Sequence, residues 1–260
     1  SEVSPAAVIS AEGRKLTLVD YSLVPDIAVN DPTLTLSMPA AITADTGIDA
    51  LTHALEAGVS IFASAYTDAF CMQAINLIMD ALPKAVADGS DLEARTAMAN
   101  ASTIAGLAFS NAFVGVNHAL AHSVGAVFGI PHGRANGIFL PHVLRYNAQV
   151  PSKFMPAPGY STYMAPDKYA QMGWVMGLGG ADMDERRRRF FGRVDQLLDE
   201  VGMPKSIAET GVTREQFDEA LPELVKNAFA DASLRTNPRM PMLAELAGLL
   251  TAAFEGRPED

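Results

Sequence analysis

The period of the apolar positions changes near residue 40. Before it, AAVIS (6–10) and KLTLVD (15–20) are short runs of strand-forming residues separated by the turn AEGR, and DIAVND (26–31) follows a proline. Together they predict three short strands. Beyond about Asp45, apolar residues recur every three to four positions, the spacing of one helix face. DALTHALEAG predicts a helix closing on Gly58, and SAYTDAFCMQAINLIMDALPKAVAD one opening on the cap-type Ser64. DLEARTAMANASTIAGLAFSNA, NHALAHSVGAVF and RANGIFLPHVLRYNA continue the pattern, and further helices are predicted near 168–177, 183–202, 213–229 and 241–254. The stretch 151–166, PSKFMPAPGYSTYMAP, predicts a loop.

The expected fold is therefore mainly α: a β segment over 1–39 and a helical domain over 40–260. Three strands cannot bury a face alone, so a partner sheet upstream of Ser1 is expected.

Composition narrows the function. With 49% hydrophobic residues among 260, the chain can bury a large core. A net charge of −11 opposes binding to nucleic acid or anionic membranes. The one basic run, Arg186–Arg189, follows acidic residues and reads as a solvated helix face. The single cysteine, Cys71, lies at helical spacing and reads as core packing. No long apolar span or signal peptide is evident, and a cytoplasmic location is expected. GLGG (177–180) follows no strand and reads as a loop rather than a phosphate cradle.

The five histidines carry the chemistry, and all fall between positions 53 and 142. Asp49 and His53 are four residues apart, as are His118 and His122, with His132 ten further on. Residues four apart share a helix face, so each pair can aim two ligands at one point. A carboxylate beside Leu51, Ala54 and Leu55 is costly unless a cation neutralises it. A set of imidazoles and one carboxylate suits Fe(II) or Zn(II) and not Mg or Ca. Spacing leaves open which of His118, His122 and His132 are ligands. No HExxH or GxSxG motif is present.

The segments MPAAITADTGIDALTHALEAGVS, SNAFVGVNHALAHSVGAVFGIPHGRANGIFLPHVLRYNA and TNPRMPMLAELAGLL resemble the iron-containing (group III) alcohol dehydrogenases. FADASLRTNPRMP and the 151–166 loop look most like the alcohol dehydrogenase half of the bifunctional aldehyde–alcohol dehydrogenases. The resemblance implies a C-terminal helical-bundle domain preceded by a β remnant of an α/β dinucleotide-binding domain. It implies metal ligands at Asp49, His53, His118 and His132, and a proton-relaying His122 near the nicotinamide. Ser4, Val8 and Lys15 would meet the cofactor, and His142 is assigned to structure.

The implied reaction is hydride transfer between NAD(H) or NADP(H) and a small alcohol or aldehyde, with Fe(2+) or Zn(2+) polarising the oxygen. A homo-oligomer is expected, and the resemblance also allows a place within a larger bifunctional chain. The family's GGGS and TxxGTGSE segments are missing apart from a terminal Ser-Glu. A competing reading is thus a folded metal-binding fragment without turnover, and a third is a glycerol-type zinc dehydrogenase relative. The apolar residues Phe109, Phe113, Val114 and Leu120 are expected to wall a pocket for a small apolar alcohol.

Overall fold

One helix, α5 (His132–Ala148), serves two hydrophobic cores at once. The computed structural model describes residues 3–11, 14–154 and 156–258. A hairpin of β1 (Ala6–Ala11) and β2 (Arg14–Val19) is followed by α1 (Ala40–Val59), α2 (Ala65–Ala87), α3 (Leu92–Ala112) and α4 (Val116–Phe128). After α5 come α6 (Ala165–Val175), α7 (Met183–Glu200), α8 (Arg214–Ala230) and α9 (Leu243–Glu255).

The first core joins α1, α2, α3, α6 and α7 through Ile48, Leu51, Leu55, Ile78, Tyr169 and Phe190. The second joins α4, α8 and α9 through Leu120, Val124, Phe217, Leu224 and Leu250. Leu140 and Leu144 of α5 enter the first, while Ile138, Phe139 and Val143 enter the second. The helical pattern predicted beyond about Asp45 is thereby realised, and Ser64 opens α2 in a capping box with Thr67. Cys71 is fully buried, and burial pushes its thiol up to about 12. Arg187 and Arg189 pair along α7 with Asp184 and Glu185, while Arg186 is partly buried, so only part of the basic run is a solvated face.

Three expectations are corrected. The third strand, 26–31, does not form. Asp20 and Asp31 each accept the backbone N–H two residues on and open the 3-10 turns Tyr21–Leu23 and Pro32–Thr35, and Ile27 and Val29 stand more than 80% exposed between them. The other two strands pair antiparallel from Ala6 opposite Val19 to Ala11 opposite Arg14. Gly58 does not end α1, which runs on to Val59; a Cβ there would meet Met172 Cε at 2.5 Å, so the glycine serves packing against α6. Leu120, expected on a pocket wall, is fully buried in the second core.

No single helix among the described residues is long and apolar enough to cross a membrane.

Candidate metal centre

The cluster forms at the seam between the two cores. Asp49 and His53 project from α1, His118 and His122 from α4, and His132 is the first residue of α5. Asp49 Oδ1 lies 3.3 Å from His132 Nε2 and 3.6 Å from His118 Nε2. One ligand atom from each of the three residues falls within 4.8 Å of the others. Donors about 2.1 Å from a tetrahedral zinc-sized ion stand about 3.4 Å apart, so this spacing and donor chemistry fit such an ion.

His53 borders this trio. Its Nδ1 is 3.9 Å from Asp49 Oδ2, and its ring stacks on Phe109 at 4.4 Å and lies 4.5 Å from the His118 ring. His122 stacks on His132 at 5.0 Å, and its Nδ1 lies 2.8 Å from Asp231 Oδ2. Its Nδ1 thus faces a carboxylate rather than the trio. His142 is buried away from the cluster, beside Arg145 and Arg257.

Protonation follows from burial and the central carboxylate. Burial works to raise the Asp49 pKa, but the rings of His53, His118 and His132 outweigh it and hold the carboxyl well below its ordinary range. Burial pushes His53 down to about 4 and His132 to about 3 despite the attraction of Asp49, which keeps both imidazoles neutral, the form that binds metals. His118 is opposite: burial would lower it, yet the neighbouring carboxylates of Asp49 and Glu56 carry it up to about 9.

Four site residues escaped the sequence reading. Glu56, seven positions after Asp49 on the same face of α1, meets His118 Nδ1 through Oε2 at 2.5 Å. Asn136, one turn after His132, donates to Asp49 Oδ1 at 2.6 Å, and Asn117 donates to Asn136 Oδ1 at 2.9 Å. Asp231, just beyond α8, holds His122. The helical spacings 49/53/56 and 132/136 were the available signals; Asp231 had none, since its contact spans 109 positions.

Of the residues expected near a nucleotide, Ser4 is buried, while the side chains of Val8 and Lys15 lie outside the described residues. A cavity of about 750 Å³, lined in part by Asp45, Arg134, Asp199, Lys205 and Glu209, contains none of the five histidines. It is not where the chemistry gathers.

Residues 43–254 fit the model of the Fe-containing alcohol dehydrogenase family, C-terminal. The chain is 41% identical over 261 residues to an aldehyde-alcohol dehydrogenase of Streptococcus pneumoniae serotype 2 (strain D39 / NCTC 7466), aligning 100% of this chain and 29% of that protein. It superposes on 1,3-propanediol oxidoreductase with a TM-score of 0.86 at 37% identity, covering 97% of this chain and 63% of that one. A sulfoacetaldehyde reductase from Bifidobacterium kashiwanohense, solved in complex with NAD+, gives 0.79 at 28% identity, covering 97% and 61%. The chain belongs to the iron-containing alcohol dehydrogenase family, of which it carries the C-terminal helical portion. It spans under a third of the length of the curated aldehyde-alcohol dehydrogenase it matches.

Proposed function

We propose that the chain is the metal-binding catalytic part of an NAD(P)-dependent alcohol dehydrogenase that interconverts a small primary alcohol and its aldehyde. The observation that supports this most directly is the convergence of Asp49, His118 and His132 from three helices. In this reading Asp49, His53, His118 and His132 hold Fe(2+) or Zn(2+), residues 40–260 form the metal-binding domain, and residues 1–39, with Ser4, Val8 and Lys15, belong to the nucleotide-binding unit. The family match begins at residue 43, close to that division.

A bound iron or zinc ion supplies Lewis acidity at an alcohol or carbonyl oxygen. The chain's own residues do the rest. Asp49 contributes the single negative charge of the ligand set, and the neutral rings of His53 and His132 add none. Phe109 covers one face of His53 and keeps water from it. His122, its Nδ1 engaged by Asp231, is left to exchange the alcohol proton through Nε2 at the edge of the cluster. Phe109 and the partly exposed Phe113 favour an apolar substrate.

Anaerobic loading with iron or zinc followed by mass spectrometry tests the ligand set. About one ion per chain is expected, with the ion lost in His53→Ala and His132→Ala; retention in both variants would overturn the assignment. NADH and a short aldehyde then separate an active enzyme from the competing reading, a metal-binding piece without turnover. Steady oxidation of NADH supports the first and its absence in metal-loaded chain the second.

A further inference from the structure

Glu56 is a carboxylate with almost no access to water, 4% exposed, on a helix otherwise buried among Leu51, Ala54, Leu55 and Ala57. Such a group persists only where donors surround it. Its two oxygens are divided between adjacent residues of α4: Oε1 accepts the backbone N–H of Asn117 at 2.6 Å, and Oε2 meets His118 Nδ1 at 2.5 Å.

The first contact compensates for a missing cap. α4 begins after Gly115, which has no side chain to accept from the orphan amides of the first turn. Two side chains from elsewhere do so: Asn237 Oδ1 accepts from Val116 N–H at 3.1 Å and Glu56 from Asn117. The glycine is what admits them, since a Cβ there would lie 2.5 Å from Asn237 Oδ1 and 2.9 Å from Glu56 Oε1. A negative charge at this end is also favoured by the helix dipole.

The second contact fixes a ring. An ionised carboxylate only accepts, so the nitrogen facing it must carry hydrogen, and a neutral ring then presents its lone pair at the other nitrogen. For His118 that other nitrogen is Nε2, the atom 3.6 Å from Asp49 Oδ1.

We propose that Glu56 is the positioning residue of the metal centre, one carboxylate that both seats the start of α4 and holds His118 in the Nδ1–H tautomer with Nε2 directed to the metal. This rests on the ligand set proposed above. Glu56→Gln preserves size but not chemistry. If the amide oxygen keeps the Asn117 N–H, the amide nitrogen faces Nδ1 and demands an acceptor there, which moves the ring hydrogen to Nε2 and blocks it.

The test uses zinc alone as the probe, with affinity from chelator competition and His118 nitrogen assignments from ¹⁵N NMR. The expected result is zinc on Nε2 with Nδ1–H in the wild-type chain, and in E56Q a folded protein with affinity lower by about 10- to 100-fold and hydrogen on Nε2. Wild-type affinity in E56Q, or weakened affinity with Nδ1 still protonated, would overturn the role of Glu56 alone. If E56Q does not fold, the zinc-loaded wild-type chain decides, since zinc on Nδ1 overturns the proposal and zinc on Nε2 with Nδ1–H upholds it. A wild-type chain that binds no zinc sinks the ligand set itself, and this proposal with it.

Discussion

A Cβ on Gly133 would stand 1.9 Å from the carbonyl oxygen of Asp45. Helices α1 and α5 therefore touch backbone to backbone one turn before Asp49 and one residue after His132. Gly133→Ala must separate the two helices, because the obstacle is main chain rather than a movable side chain. The expected loss is about 1–3 kcal/mol in urea unfolding, together with zinc content below that of the wild type. Gly58→Ala is the control: its Cβ meets the flexible end of Met172, so the loss is smaller and metal content is kept.

His142 makes stability depend on acid. Burial, aided by Arg145 and Arg257, holds it down to about 4, below the roughly 6.5 of an unfolded histidine. Between those values the unfolded chain takes a proton that the folded chain refuses, so stability falls as pH drops from about 6.5 towards 4. Full development of this difference is worth about 3 kcal/mol. The His142→Gln variant should show a shallower decline in urea midpoint between pH 7 and pH 5, compared with wild type under the same conditions. Equal slopes would show that His142 does not contribute.

The His122–Asp231 pair is expected to act in turnover rather than in metal retention. Burial would raise Asp231, but the hydrogen bond from His122 brings it down to about 2, so it is ionised at any working pH. Asp231→Asn should lower kcat by at least about 10-fold, part of what positioned proton transfer contributes, with zinc content unchanged. Loss of zinc in D231N would place the pair in the ligand scaffold instead.

Arg95 ties the start of α1 to α3. It is 2% exposed, and its guanidinium donates to Gly89 O, Thr43 Oγ1 and Met38 O. A lysine cannot span three acceptors fixed in different directions. Arg95→Lys should cost about 2–3 kcal/mol, roughly one or two charge-assisted hydrogen bonds, read as a lowered unfolding midpoint. A midpoint unchanged from wild type would refute this role.

Helix order and the approximate ends of α6 to α9 were legible because each presents a clear apolar stripe, and Ser64 because its cap is local. Residues 26–31 misled because an alternating apolar pattern predicts a strand only where a partner exists, and the Asp20 and Asp31 turns take the chain elsewhere. A packing glycine and a capping glycine look alike in sequence, and only the contact with Met172 distinguishes Gly58.

Of the five candidate site residues, Asp49, His53, His118 and His122 were visible because helical spacing pairs them, and His132 because it lies ten positions beyond the second pair. The partners that orient them were not, since Glu56 and His118 are 62 positions apart and only the crossing of α1 and α4 brings them together. Leu120 illustrates the same limit in reverse, sharing a helix with two site histidines while pointing into the second core.

The division of α5 between two cores has a further consequence for assembly. Asp49 and His53 belong to a helix of the first core, and His118 to a helix of the second, so neither half carries the whole of the proposed ligand set by itself. The first core's own helix α1 offers a carboxylate and one ring, Asp49 and His53, and the rest of the set has to come from α4 and α5. If these residues hold the ion as proposed, a complete grip exists only where both halves have closed on α5, so metal content would report that the two cores have come together.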